Sequence, residues 1–233
     1  LAYYCLEIYR NKNHWCYWYG TYGNMCTMKK YESKKRQYPS HYTEKRKSGY
    51  MKDIELKRRC ADCVGMIKSF FWTDGIYDSD PHYATNHCPD KSANGLFKMC
   101  KKTGDIKSIP DIPGLVVWKD GHIGVYVGSG KVIEAKGHKY GVVESSINSG
   151  WKYWGKCNLF SYDAASAPAP VPAQPAKPVN NTGYTDLEIQ AARDCIRGRY
   201  GNGMARRNNL ARAGFNYSRV QTCVNKILRG EIK

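Results

Sequence analysis

The spacing of apolar positions changes twice along the chain. In "ADCVGMIKSFFW" (Ala61 to Trp72), Val64, Ile67, Phe70 and Phe71 recur near helical intervals. The whole stretch from Ala2 to Trp72 is rich in Lys, Arg and Tyr and reads mostly as helix. Asp62 stands where an N-cap belongs, which puts Cys63 in the first turn. The segment from Thr73 to Pro113 reads as loop, with a short helix around Asn94 to Lys101. From Gly114 the period becomes that of strands: "GLVVW", "HIGVYV", "KVIEA" and "GVVES", split by the turn sequences "KDG", "GSG" and "KGHKYG". "WKYWGKCNLFSY" adds a closing strand. Helices followed by one antiparallel meander predict an α+β domain.

A second change is compositional. "DAASAPAPVPAQPAKPVNNT" (Asp163 to Thr182) holds five of the ten prolines and no aromatic residue. It reads as a semi-rigid spacer reaching about 60 Å when extended. Three short helical stretches follow, Asp186 to Arg197, Met204 to Ala213 and Tyr217 to Leu228, a small three-helix bundle. The predicted organisation is therefore a domain over 1–162, a linker over 163–182 and an all-α domain over 183–233.

Charge narrows the partners. Thirty-seven Lys and Arg against twenty Asp and Glu leave +17, which favours a polyanion: nucleic acid, an anionic membrane surface or a bacterial cell wall. No apolar run approaches the ~18 residues of a membrane span, so no membrane insertion is expected. The ten cysteines are scattered rather than packed into a short disulfide framework. They read as mostly reduced and buried, the mark of synthesis in a reducing cytoplasm.

Cys60 and Cys63 form a C-x-x-C pair. A redox site would follow a buried strand, and "KDIELKRR" does not read as one. Structural zinc needs a second pair of ligands, and the adjacent His87 and Cys88 lack the usual spacing. A single nucleophile fits better. Cys63 opens a helix, where amides and dipole favour a thiolate and its own amide can bind an oxyanion. The meander offers a base and an orienter. A hairpin centred near Gly128 makes His122 and Glu134 cross-strand neighbours, and a carboxylate beside imidazole sets its tautomer and basicity.

"ADCVGMIKSFFW" followed by "GHIGVYVGSGKVIEA" closely resembles the NlpC-type papain-like cysteine peptidases, bacterial and phage peptidoglycan hydrolases. The resemblance spans about Cys5 to Tyr162. It implies papain-like helices packed on an antiparallel sheet, with Cys63 as nucleophile, His122 as base and Glu134 in the third position, where many members carry His, Asn or Gln. Cys60 is then a bystander. "CYWYGTYG" resembles the segment that lines the family's substrate groove, so Tyr17 and Trp18 are expected to bind substrate, with Thr21 in place of a second Gly. Asp62 and His138 complete the expected substrate contacts. "DGIYDSD" (Asp74 to Asp80) lacks the Gly and Glu of a calcium loop and reads as a loop beside the groove.

"IRGRYGNGMARRNNLARAGFNYSRVQTCVNKIL" resembles the wall-binding repeat first seen at the C-terminus of a phage lysozyme. Tyr200 replaces the motif's Trp and Phe215 its first Tyr. The resemblance assigns Tyr200, Asn202, Gly203, Arg206 and Gln221 to wall binding, Arg206 as a bidentate carboxylate clamp. Leu210, Val220, Val224, Cys195 and Cys223 read as core.

Together these predict a monomeric peptidoglycan hydrolase without metal or cofactor. It cuts a stem-peptide amide, foremost the γ-D-glutamyl bond to the diamino acid, with the muramoyl–alanine amide as the alternative. The expected setting is a phage endolysin made in the cytoplasm and released to the wall through a holin, or a secreted enzyme whose signal has been trimmed. A basic nucleic-acid binder is the rival from another class; it explains the charge but not "DCVG" with "HIGVYVG".

Overall fold

The computed structural model describes residues 1–73, 80–160, 162, 182–200 and 203–232. The linker expected over 163–182 lies outside the described residues except for Thr182, and the acidic segment 74–80 except for Asp80. The fold is mixed α+β, with eight α-helices and sheets of three and six strands among the described residues. The chain divides into two compact units, Leu1–Tyr162 and Asp163–Lys233.

In the first unit, helices α1 (Ala2–Arg10), α2 (Met28–Gln37), α3 (Glu44–Glu55) and α4 (Cys63–Trp72) alternate with strands β1 (Trp15–Cys16), β2 (Tyr22–Met25) and β3 (Arg59–Ala61). These strands form a small sheet in the order β1-β3-β2, where mostly helix was expected. Strand β3 is buried throughout, directly ahead of Cys63. It is hard to see in sequence because its first residue is a buried Arg59, whose guanidinium donates to the Gly23 carbonyl at 2.6 Å.

Helix α5 (Ala93–Phe97) is shorter than expected, and Cys100 and Lys101 instead open strand β4 (Cys100–Asp105). The meander follows as β5 (Val116–Lys119), β6 (His122–Gly128), β7 (Lys131–Gly137), β8 (Gly141–Ser146) and β9 (Tyr153–Cys157), in the order β4-β9-β5-β6-β7-β8. Strand β9 crosses back to pair with β5 rather than extending the β8 edge.

Helix α4 is the spine of this unit. All ten of its residues are buried, and it packs against β2, β6 and β7. Contact with the β2 segment is close enough to require glycine. A Cβ on Gly65 would stand 1.8 Å from the Thr21 carbonyl oxygen, a distance no side chain tolerates. Beside it lies an aromatic cluster of Trp18, Tyr31, Tyr42 and Tyr50, packed with Cys16, Cys26 and Cys60.

The second unit holds α6 (Asp186–Ile196), α7 (Gly203–Arg212) and α8 (Tyr217–Leu228). Thr185 and Glu188 form a reciprocal capping box at the start of α6. The core contains Ile189, Cys195, Leu210, Val220, Cys223 and Val224. Arg219 on α8 grips Glu188 on α6 through two bonds, 2.6 and 3.0 Å. Among the described residues, no helix is long and apolar enough to cross a membrane.

Candidate active site and wall-repeat unit

Asp62 caps α4. Its Oδ1 accepts from the Gly65 amide at 2.6 Å and its Oδ2 from the Gly20 amide at 2.9 Å. The same carboxylate thus ties the helix start to the loop after Tyr17. Both oxygens are engaged by backbone, so Asp62 acts as a scaffold for the site.

Cys63 is the first residue of α4 and is 8% exposed. The Ile123 amide on β6 and the amides of Val64 and of Cys63 itself lie near its sulfur and favour the thiolate. Burial, reinforced by the Asp62 charge, pushes the thiol up to about 12 despite these donors. Cys63 therefore rests as a thiol at neutral pH, and a base must take its proton as it reacts.

His122 opens β6, one residue before Ile123, whose amide lies near Cys63. Its Nε2 is 2.6 Å from Glu134 Oε2, which leaves Nδ1 as the ring nitrogen for proton transfer. Glu134 is 2% exposed. Burial raises its carboxyl, but the His122 hydrogen bond, the nearby Ser145 hydroxyl and the charges of His122 and Lys136 outweigh that, and it lies below the ordinary carboxylate range. Ser145 Oγ stops short of hydrogen-bond geometry and contributes mainly its dipole.

The pairing differs from the expected one. The β6–β7 register sets Val125 opposite Ile133 and Tyr126 opposite Val132, so Glu134 is a diagonal neighbour of His122 rather than its direct partner. The shift of two residues keeps both side chains on one face of the sheet.

Trp151 has no role at the site in the sequence reading. It is 3% exposed and stacks on the His122 ring, centroids 5.3 Å apart and planes 14° from parallel. Gly124 makes room for it, since a Cβ there would come within 3.0 Å of the indole. Trp151 heads the stretch read as the closing strand and stands just ahead of β9, and a strand pattern carries no sign of its stacking on His122.

Tyr17 is half-buried, and burial with the nearby Cys63 and Asp62 charges raises its phenol far above its ordinary value. Tyr17 thus lies within electrostatic reach of Cys63. Trp18 is a correction: it is fully buried and donates to Asp53 Oδ2 at 2.9 Å, a core residue out of reach of substrate. His138 is also elsewhere. It packs on Tyr50, ring centroids 4.2 Å apart, and lines a cleft of about 280 Å³ with Lys12, Asp53 and Arg58. Cys63, His122 and Glu134 are absent from that cleft's walls.

Cys60 follows a different path from Cys63. It is fully buried, and its thiol donates to the Asn24 carbonyl at 3.3 Å. It sits with Cys16 and Cys26, whose sulfurs are 3.4 Å apart.

In the second unit, Arg206 donates to Gln221 Oε1 at 3.1 Å and to the Cys195 carbonyl at 3.3 Å. Gln221 in turn donates to Asn225 at 3.2 Å. Two guanidinium nitrogens thus brace α7 against α6 and α8, which displaces the expected bidentate clamp. Tyr200 is half-buried, edge-on to Phe215 at 6.5 Å. Gly203 begins α7, and Asn202 lies outside the described residues.

No curated protein and no solved structure matches this chain. Residues 190–228 match the CW_7 repeat. That match covers the greater part of all three helices of the second unit, including Arg206 and Gln221. The chain thus carries a C-terminal cell-wall repeat and is a cell-wall-associated protein.

Proposed function

We propose that the first unit is a papain-like cysteine hydrolase of the NlpC type that cuts an amide bond of the peptidoglycan stem peptide. The observation that carries this reading is the packing of α4 on β6, which sets the Ile123 amide near the Cys63 sulfur. It brings the His122 end of β6, with His122 already held by Glu134, against a cysteine at a helix start. The cell-wall repeat on the same chain supplies the setting.

In this mechanism His122 Nδ1 takes the Cys63 proton as the sulfur attacks the scissile carbonyl. The amides of Cys63 and Val64 stabilise the oxyanion. His122 then protonates the leaving amine as the C–N bond breaks, and water hydrolyses the thioester. Glu134 stabilises the imidazolium that forms in between. Tyr17, within electrostatic reach of the nucleophile, supports a groove for the L-Ala-D-Glu end of the stem, so we favour cleavage between γ-D-glutamate and the diamino acid. A phage endolysin released at lysis is the setting we favour.

The test is digestion of purified sacculi by the full chain and by Cys63→Ala, with mass spectrometry of the products. The expected result is disaccharide still bearing L-Ala-D-Glu, absent with the variant. Free disaccharide plus an intact stem peptide with a new N-terminal Ala assigns the amidase reaction instead. Equal lysis by Cys63→Ala overturns the cysteine mechanism.

A further inference from the structure

The first unit concentrates its charge. Between residues 28 and 58 there are eleven Lys and Arg against four Asp and Glu. This segment is α2, α3 and their connections, and their tyrosines Tyr31, Tyr42 and Tyr50 are all buried in the aromatic cluster. With the aromatic faces turned inward, the cations are left outside. Lys29, Arg36, Lys45 and Lys47 are exposed. Lys30 and Lys34 follow one turn apart on α2.

The two helices present one surface. Glu44 at the start of α3 bonds Lys35 of α2 at 2.9 Å and Lys47 of its own helix at 3.4 Å. That single carboxylate is shared by two lysines, while Lys29, Lys30, Arg36 and Lys45 have no carboxylate partner among the described residues. The Lys34 charge on this surface is also felt at Asp62, the cap of α4.

We propose that the α2–α3 face is a second wall-docking surface that binds a phosphodiester-linked anionic polymer of the cell wall. The inference rests on the chain's wall association and is independent of the catalytic assignment. Charge complementarity selects a polyanion, and ammonium groups on flexible stems suit an irregular chain of phosphates. The wall repeat places such polymers within reach. A nucleic acid fits less well. Binding of single strands uses exposed aromatic platforms, whereas here Tyr19 and Tyr38 are half-buried and pack on each other, 5.0 Å between centroids, with His41 stacked on Tyr19 at 3.6 Å.

The test uses the full chain carrying Cys63→Ala, so that walls stay intact. Charge reversal of Lys29, Lys30, Arg36 and Lys45 to Glu is compared with the same reversal of Lys98, Lys101, Lys102 and Lys107, exposed residues on β4 and on either side of it. Sedimentation with native walls and with walls stripped of phosphate polymers reads the affinity. The α2–α3 variant should bind native walls at least ~10-fold more weakly, with a shallower dependence on log salt. On stripped walls it should match its parent, and the β4 variant should lose less than ~3-fold on native walls by the same screening logic. Unchanged melting temperatures verify that the exposed substitutions leave the fold intact. Equal losses in both variants, a loss that persists on stripped walls, or tighter binding to single-stranded DNA than to purified polyglycerol phosphate would overturn the proposal.

Discussion

The two units of this protein assemble their key residues by opposite routes. In the second unit Arg206 and Gln221 lie within about one helix hairpin of their partners. Arg206 meets Gln221 fifteen residues away, and the matched repeat spans 190–228 without a break. In the first unit the candidate site joins residues 17, 62, 63, 122, 134 and 151, drawn from loop, cap, helix, two strands and a turn. A locally built unit keeps its sequence signature when examined alone. A site assembled across a sheet depends on every element that aligns it, so the first unit should be far more sensitive to single changes in packing.

The sharpest way to break that comparison is Gly65→Ala. With a Cβ 1.8 Å from the Thr21 oxygen, α4 and the β2 segment must separate, at a cost of about 3 kcal/mol or more. Soluble yield and melting temperature of the first unit should collapse while the helical signal of the second persists. A native-like melting temperature would show that the close approach is dispensable.

His122→Ala and Glu134→Ala come next. Loss of the base should lower kcat by ~10³-fold, within the range for general-base catalysis. Loss of the orienter should cost less, ~10- to 100-fold, since the proton carrier remains. Progress curves on sacculi decide it. Equal losses would make Glu134 part of the proton path, and an unchanged rate would hand the orienting role to the Trp151 stack.

The last effect expected is confined to alkaline pH and concerns stability. Burial holds Cys5, Cys16 and Cys63 up to about 12. Below pH 9 folded and unfolded chains both keep these protons and the thiols add no pH dependence. Above it the unfolded chain releases protons that the native state retains, so stability falls as pH rises from 9 towards 12, by up to ~1.4 kcal/mol per unit for each thiol. All six tryptophans lie in the first unit, so their fluorescence reports its midpoint alone. A urea midpoint that stays flat between pH 8.5 and 10.5 would remove the buried thiols from the account.

How far sequence reasoning reached follows the same division. The helices of the second unit end within a residue or two of the expected positions, because caps and glycines act locally. In the first unit, period and turn residues located β5 to β8. Strand β4 escaped because its residues are half-buried or exposed and mostly polar, and it exists through pairing with β9 fifty residues on. The His122–Glu134 contact emerged from a hairpin register wrong by two residues, and survived because an even error preserves the face. Trp18 misled for the reverse reason. Its motif looks like a groove segment, yet its indole finds Asp53, thirty-five residues away, and turns inward.

Asp62 has a consequence for motion. One carboxylate holds the amide of Gly20 with one oxygen and the amide of Gly65 with the other. Rotation of that one carboxylate frees both amides to exchange with water at once. Their exchange rates should therefore be correlated, rising together when the clasp lets go. The loop that carries Tyr17 and the helix that carries Cys63 then form a single kinetic unit. That side of the candidate site is thus assembled in advance, and any motion within the site must come from elsewhere.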